Sequence, residues 1–165
     1  MIDAAEDEYQ EDYFSAYFGN DADYYLRKLE QYQNGQKFSF NIGAFFFGIM
    51  WMLYRKLYVL ALVYVALIIT QGLLLTNLAE HFHIPKQTIT YVDQGLMLLW
   101  GVILGFLGNY FYLRKAKAQV RKIKAAGLGP QETVNRLAVV GGITYLPHIV
   151  LALFVFIATL VLQMK

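Results

Sequence analysis

From Leu57 to Ala79 the chain reads LYVLALVYVALIITQGLLLTNLA, with no Asp, Glu, Lys or Arg. As a helix rising ~1.5 Å per residue, this run crosses a hydrocarbon layer of about 30 Å. It reads as a transmembrane helix, and the neighbouring segments have to be read around it. Phe38 to Tyr54, just before it, is also uncharged, but Gly43 and Gly48 interrupt it and aromatics dominate it. Only Arg55 and Lys56 separate the two stretches. Two spans cannot reverse direction in so short a turn, because the unpaired carbonyls and amides of both helix ends would be stranded away from water. An interfacial aromatic helix over 42–53 is therefore expected, capped by Ser39 or Asn41, with Trp51 and Tyr54 at headgroup level. Arg55 and Lys56 are then expected to meet lipid phosphates.

The rest of the composition agrees with a membrane class. Charged residues make up 16% of the chain, against about 25% in a soluble domain. The absence of cysteine excludes disulfides and thiolate metal sites. The first twenty residues are acidic and lack a basic n-region and an apolar h-region, so the membrane segments are expected to serve as the targeting signal.

Residues 1–37 form an arm that carries nine of the twelve acidic residues. Tyr9, Tyr13 and Tyr17 recur at i, i+4, i+8, with Phe14 and Phe18 alongside, which predicts a helix with an aromatic stripe. Asp21 can cap a second short helix that Asn34-Gly35 ends. Two uses of the stripe stand open. The rings pack on the protein's own surface or at headgroups, or Tyr9, Tyr13 and Tyr17 dock a partner protein.

After the first span (57–79), residues 80–93 are polar, contain Pro85 and read as a loop. Glu80, His81, His83 and Asp93 lack the spacing of a metal site and are read as solvated. A second uncharged run gives a span over 94–113, with Gly101, Gly105 and Gly108 at i, i+4, i+7. Such a face lets another helix approach closely, either a span of the same chain or a second copy. A basic amphipathic helix follows over 114–126. Its Arg114, Lys115, Lys117, Arg121, Lys122 and Lys124 lie opposite Leu113, Ala116, Val120 and Ile123. It reads as a topology anchor in contact with anionic lipid, not nucleic acid. A third span is expected over 145–163, with Thr144 as cap and Pro147 in the first turn, where its missing N–H costs little. No span, so delimited, contains an interior charge, and His148 falls at the interface.

Twelve of the fourteen Lys and Arg residues fall in 1–56 and 114–136. Under the positive-inside rule this places the N-terminus in the cytoplasm, with the 80–93 loop and the C-terminus outside. The expected protein is all-α and multi-pass: a helical cytoplasmic arm (1–37) and a membrane domain (38–165) with three transmembrane helices.

The stretch FSFNIGAFFFGIMWMLYRKLY at 38–58, GNYFY at 108–112 before the basic helix, and GGIT at 141–144 together resemble a known family, as does YYLRKLEQYQNGQ at 24–36. This is DUF2628, a family of uncharacterised bacterial inner-membrane proteins. The resemblance covers roughly 20–145 and implies a small bacterial inner-membrane protein, without an implied activity, catalytic residue or cofactor.

An enzyme needs acids, bases, nucleophiles or metals gathered in a pocket. Here the histidines are scattered and the carboxylates cluster on the arm. The chain is expected to be a non-catalytic scaffold or accessory subunit of a bacterial envelope complex, without cofactor or metal. The rival reading is a small homo-oligomeric transporter or channel subunit. A third is a lipid sensor acting through Arg55, Lys56 and the 114–124 helix.

Overall fold

The computed structural model describes the backbone of residues 4–163 and the side chains of 10–157 and 159–163. Tyr9 of the aromatic stripe therefore lies outside the described side chains. Among the described residues every regular element is helical. The order is α1 (Ala4–Phe18), a 3-10 turn (Gly19–Asp21), α2 (Ala22–Gln33), α3 (Ile42–Phe47), α4 (Ile49–Tyr54), α5 (Tyr58–His81), α6 (Lys86–Lys124), α7 (Pro130–Val140) and α8 (Leu146–Gln163).

Three of these, α5, α6 and α8, are long and apolar enough to cross a membrane. The first and third expected spans fall within a few residues of α5 and α8. The second changes character. Residues 80–93 are not a loop: α5 continues to His81 and α6 begins at Lys86, leaving 82–85 as the connection. The physical reason is local. Pro85 occupies the N-cap with an extended ψ of 138°, and the polar residues after it extend the first turns of α6. Asp93 consequently lies about 10 Å inside the start of α6, and its carboxylate accepts a hydrogen bond of 3.1 Å from Gln71 Nε2 on α5. Trp100 Nε1 donates to Gln71 Oε1 at 2.6 Å. Asp93 stands one residue before the expected span over 94–113, and this pairing joins it to α5.

The basic segment is not a separate helix lying on a membrane. It is the end of the same 39-residue α6. Its apolar side, Leu113, Ala116 and Val120, is buried because α1, α2 and α7 pack around it. These four pieces form a helical head. Its core is aromatic: Phe18 and Tyr112 are fully enclosed, and the Tyr25 and Tyr112 rings meet edge to face at 4.6 Å. Offset and edge-on rings of this kind add to plain burial. Tyr13 and Tyr17 lie inside this core, so the docking reading of the stripe is overturned for both. Tyr17 packs on Tyr112 and Tyr13 lies under Lys124, both on α6.

The expected helix over 42–53 is two helices. Gly48 adopts φ +45° and ψ −113° between them, a conformation that a side chain would resist. Asn41 caps α3 as expected, its Oδ1 accepting from Ala44 N at 2.8 Å. The glycine face of α6 receives this segment rather than another span or a second copy. Gly101 faces the Phe45 backbone, Gly105 the Phe40 ring, and Gly108 both Ala44 and Trp51. A Cβ at 108 would stand 2.8 Å from that of Ala44, so glycine is what permits the approach.

Candidate functional site at the joint between head and apolar helices

The α3–α4 segment joins the head to α5 and α8, and three of the four buried polar or charged residues among the described residues, Asn41, Arg55 and Asn109, gather there. Asn41 and Asn109 are both buried. Asn41 Nδ2 donates to Asn109 Oδ1 at 2.7 Å, and Asn41 N donates to the Gly105 carbonyl at 2.7 Å. Asn109 Nδ2 in turn faces Ser39 Oγ at 2.9 Å and Tyr24 Oη at 3.1 Å. The network pairs the amides that packing takes from water, and it pins α3 against the middle of α6.

Arg55 follows α4 and is 6% exposed. One of its nitrogens, Nη2, donates to Asp21 Oδ2 at 2.7 Å. Asp21 stands at the N-cap of α2, but its side chain makes no capping bond there. Expected as a cap, it is spent on Arg55 instead. Three rings surround the guanidinium: Tyr25 at 4.7 Å, Tyr54 at 5.2 Å and Tyr112 at 5.3 Å from Cζ to centroid. Their π-faces offer a buried cation electrostatic compensation. Burial pushes the Tyr25 phenol well above its ordinary range, with Arg55 pulling it partly back. Arg55 Nε and Nη1 and the Tyr112 hydroxyl are all shut off from solvent.

Beside Arg55 is an apolar cavity of about 580 Å³, within the ~300–1,000 Å³ common for small-molecule sites. Ile42, Phe47, Met50 and Trp51 supply its apolar wall, and Arg55, His148, Tyr24, Tyr25, Tyr54 and Asn41 line it as well. His148 tethers α8 to α4 through Nε2 and the Met50 carbonyl at 3.1 Å, while its Nδ1 is buried without a partner.

The residues expected at lipid phosphates are divided by the structure. Arg55 is internal. Lys56 adopts φ +58°, and its Nζ donates to the carbonyls of Val139 and Gly141 at the end of α7. Lys115 Nζ donates to the Lys56 carbonyl at 2.6 Å. These two lysines tie the α4–α5 turn to α7 and α6, and neither ammonium is a free headgroup contact. Lys117 lies over the Tyr32 ring at 5.2 Å and Lys124 over the Tyr13 ring at 5.8 Å. Arg114, Arg121 and Lys122 are exposed. Sequence reasoning missed Asp21, Tyr25, Asn109 and Tyr112 as partners of the joint. The only local signal was an arginine and an asparagine amid uncharged aromatic sequence.

No curated protein and no solved structure matches the chain. The model of the family described as "protein of unknown function (DUF2628)" matches residues 8–117. The match takes in Asp21, Tyr25, Asn41, Arg55, Asn109 and Tyr112, and stops short of α7, α8 and the GGIT segment. Covering well over half of the chain, it establishes that this protein belongs to the DUF2628 family.

Proposed function

We propose that this protein is a non-catalytic scaffold or accessory subunit of the bacterial inner membrane, presenting its helical head to the cytoplasm. One observation carries the reading. The head is built on the same helix that enters the membrane; Lys115 ties that helix to the turn before α5, Lys56 ties the same turn to the end of α7, and Asn109 ties α6 to the cap of α3. A head held so rigidly to its anchor suits positioning a partner. With Tyr13 and Tyr17 buried, the exposed acids Glu11, Asp12, Asp23 and Glu30 supply the partner-facing surface, whose charge complements a basic protein. The cation distribution supports a cytoplasmic head.

Native mass spectrometry of protein gently extracted from its own membrane tests the role. Stoichiometric foreign subunits support it, and a lone monomer overturns it. The absence of cysteine makes orientation equally accessible. Gln33→Cys should be shielded from an impermeant maleimide in intact cells, and Gln87→Cys should be labelled.

The Asp93–Gln71–Trp100 set favours a second reading, a small homo-oligomeric transport or channel subunit, because a carboxylate between apolar helices is a usual mark of a solute path. Flux through reconstituted liposomes above the empty-vesicle background, abolished by Asp93→Leu, would put this reading first.

A further inference from the structure

We infer that α3 and α4 form a re-entrant pair. The chain enters the leaflet on the head side, turns at Gly48 within the hydrocarbon and returns to the same side, so that Ile42, Phe46 and Phe47 face lipid acyl chains.

The register against α6 sets the depth. Phe38 meets the Tyr110 ring at 5.7 Å. Asn41 N donates to the Gly105 carbonyl, and the Phe45 carbonyl lies against Gly101. The chain therefore runs along α6 away from the head, and then it climbs back. Gly48 lies beside Leu104, Trp51 against Gly108 and Arg55 beside Tyr112, and Lys115 Nζ reaches the Lys56 carbonyl. Between Asp93 and Arg114, α6 carries no charge. Measured from Arg114 at ~1.5 Å per residue, Gly48 stands about 15 Å and Phe45 about 20 Å along that run. A leaflet supplies half of a hydrocarbon layer about 30 Å thick. Helix α8 gives a second measure. Met50 shares an apolar groove with Leu151, Val155 and Phe156, the first of which lies about 8 Å past the start of α8. Both α6 and α8 are long and apolar enough to be spans.

The side chains suit this path. Residues 38–54 contain no Asp, Glu, Lys or Arg, and Lys37 and Arg55 bound them at the head end. Ile42, Phe46 and Phe47 are 68%, 69% and 66% exposed, as open as Leu62 on α5. A helix lying flat at the headgroups would keep its residues at one level, whereas Phe38, Asn41 and Phe45 face successively deeper turns of α6. Irregular backbone is tolerated at such depth only where protein answers its polar groups. At the entry they are answered. The Ser39 carbonyl accepts from Asn109 Nδ2 at 3.3 Å, Asn41 N has the Gly105 carbonyl, and Ala44 N has Asn41 Oδ1. The two asparagines thus serve the entry, and the α6 glycines make room for the pair. The inference rests on α6 crossing a membrane and not on the scaffold role.

The test uses the full-length chain, whose lack of cysteine permits single nitroxide labels. Phe38→Cys, Ile42→Cys and Phe46→Cys, all at exposed positions, are labelled and reconstituted in vesicles of phosphatidylcholine and phosphatidylglycerol. Leu62→Cys on α5 supplies the lipid reference, and Gln36→Cys, exposed after α2, supplies the water reference. Collisions with dissolved oxygen, which partitions into lipid, are compared with those of a water-soluble nickel chelate. At 46 the chelate collisions should be lost to the level found at 62 while oxygen collisions persist, and depth should increase in the order 38, 42, 46. Chelate collisions at 46 as frequent as at 36 would overturn the proposal and place the segment at the surface. Equal depths at all three positions would overturn it in favour of a flat interfacial helix. Shielding of 46 from both reagents would overturn the lipid contact and show protein, such as a second copy, on that face. None of these outcomes depends on whether foreign subunits co-purify, so the scaffold reading stands or falls separately.

Discussion

In the head, Phe18, Tyr112 and Leu137 are fully enclosed, whereas Val59 and Leu62 on α5 and Phe154 on α8 are at least two-thirds open. Both regions are rich in large apolar side chains, but they solve different solvation problems. In the head, water is the competing medium, so each ring must find another ring or helix to cover it. Along α5 and α8, lipid is the competing medium, and an apolar side chain gains little by choosing a neighbouring helix over a hydrocarbon tail. The result is a tightly packed head and apolar helices that touch one another at few points, chiefly the Gln71, Asp93 and Trp100 contact. Helix α6 belongs to both regions, and Asn41, Arg55 and Asn109 lie where the two regions join.

Breaking the head should therefore cost far more than trimming the spans. The largest effect is expected at Gly141. A Cβ there would overlap the Tyr17 carbonyl, which the adjacent Gly142 N–H already holds at 2.6 Å. Gly141→Val should cost more than about 3 kcal/mol, seen as loss of the near-ultraviolet dichroism of the aromatic core with most far-ultraviolet helicity retained. An unchanged near-ultraviolet signal would mean that α1 and α7 do not meet there. Next, Leu137→Ala should destabilise the head by about 2–5 kcal/mol in chemical denaturation. Phe154→Ala, a larger truncation on α8, should shift the same transition by less than about 0.5 kcal/mol. Equal costs would show that α8 is packed in the membrane, against a partner or a second copy.

The joint should fall between these extremes. Asn109→Leu strands Asn41 and leaves Ser39 and Tyr24 without their amide partner, at about 1–3 kcal/mol. It should speed amide exchange over residues 39–44 before it affects α1. The smallest effect is alkaline. Burial pushes the Tyr17 phenol from its ordinary 10 up to about 12, so the fold favours the neutral form. Its contribution is complete below pH 10 and drains away as pH rises toward 12. Tyr17→Phe should flatten that part of the pH–stability curve, and an unchanged slope would assign the loss to other groups such as Tyr25.

Much of this architecture could be read from the chain alone. The runs that became α5 and α8 and the apolar body of α6 were legible because transfer from water to hydrocarbon is a property of the residues themselves, summed over some twenty positions. The Asn41 cap and the stop at Asn34-Gly35 were legible because they act within one helical turn. What lay beyond the sequence depends on residues brought together from far apart. Tyr13 and Tyr17 look the same in sequence whether they cover a partner or the protein's own α6. The glycines of α6 announce a close approach without naming what approaches. Arg55 beside a span reads as a lipid contact until α2 and α6 bring Asp21, Tyr25 and Tyr112 around it, the first of them 34 residues away in the chain. Local chemistry determined which segments leave water. The folding of α1, α2 and α7 about the end of α6 decided which of the remaining side chains face outward, because only packing determines whether a polar or aromatic group is answered by solvent, lipid or protein.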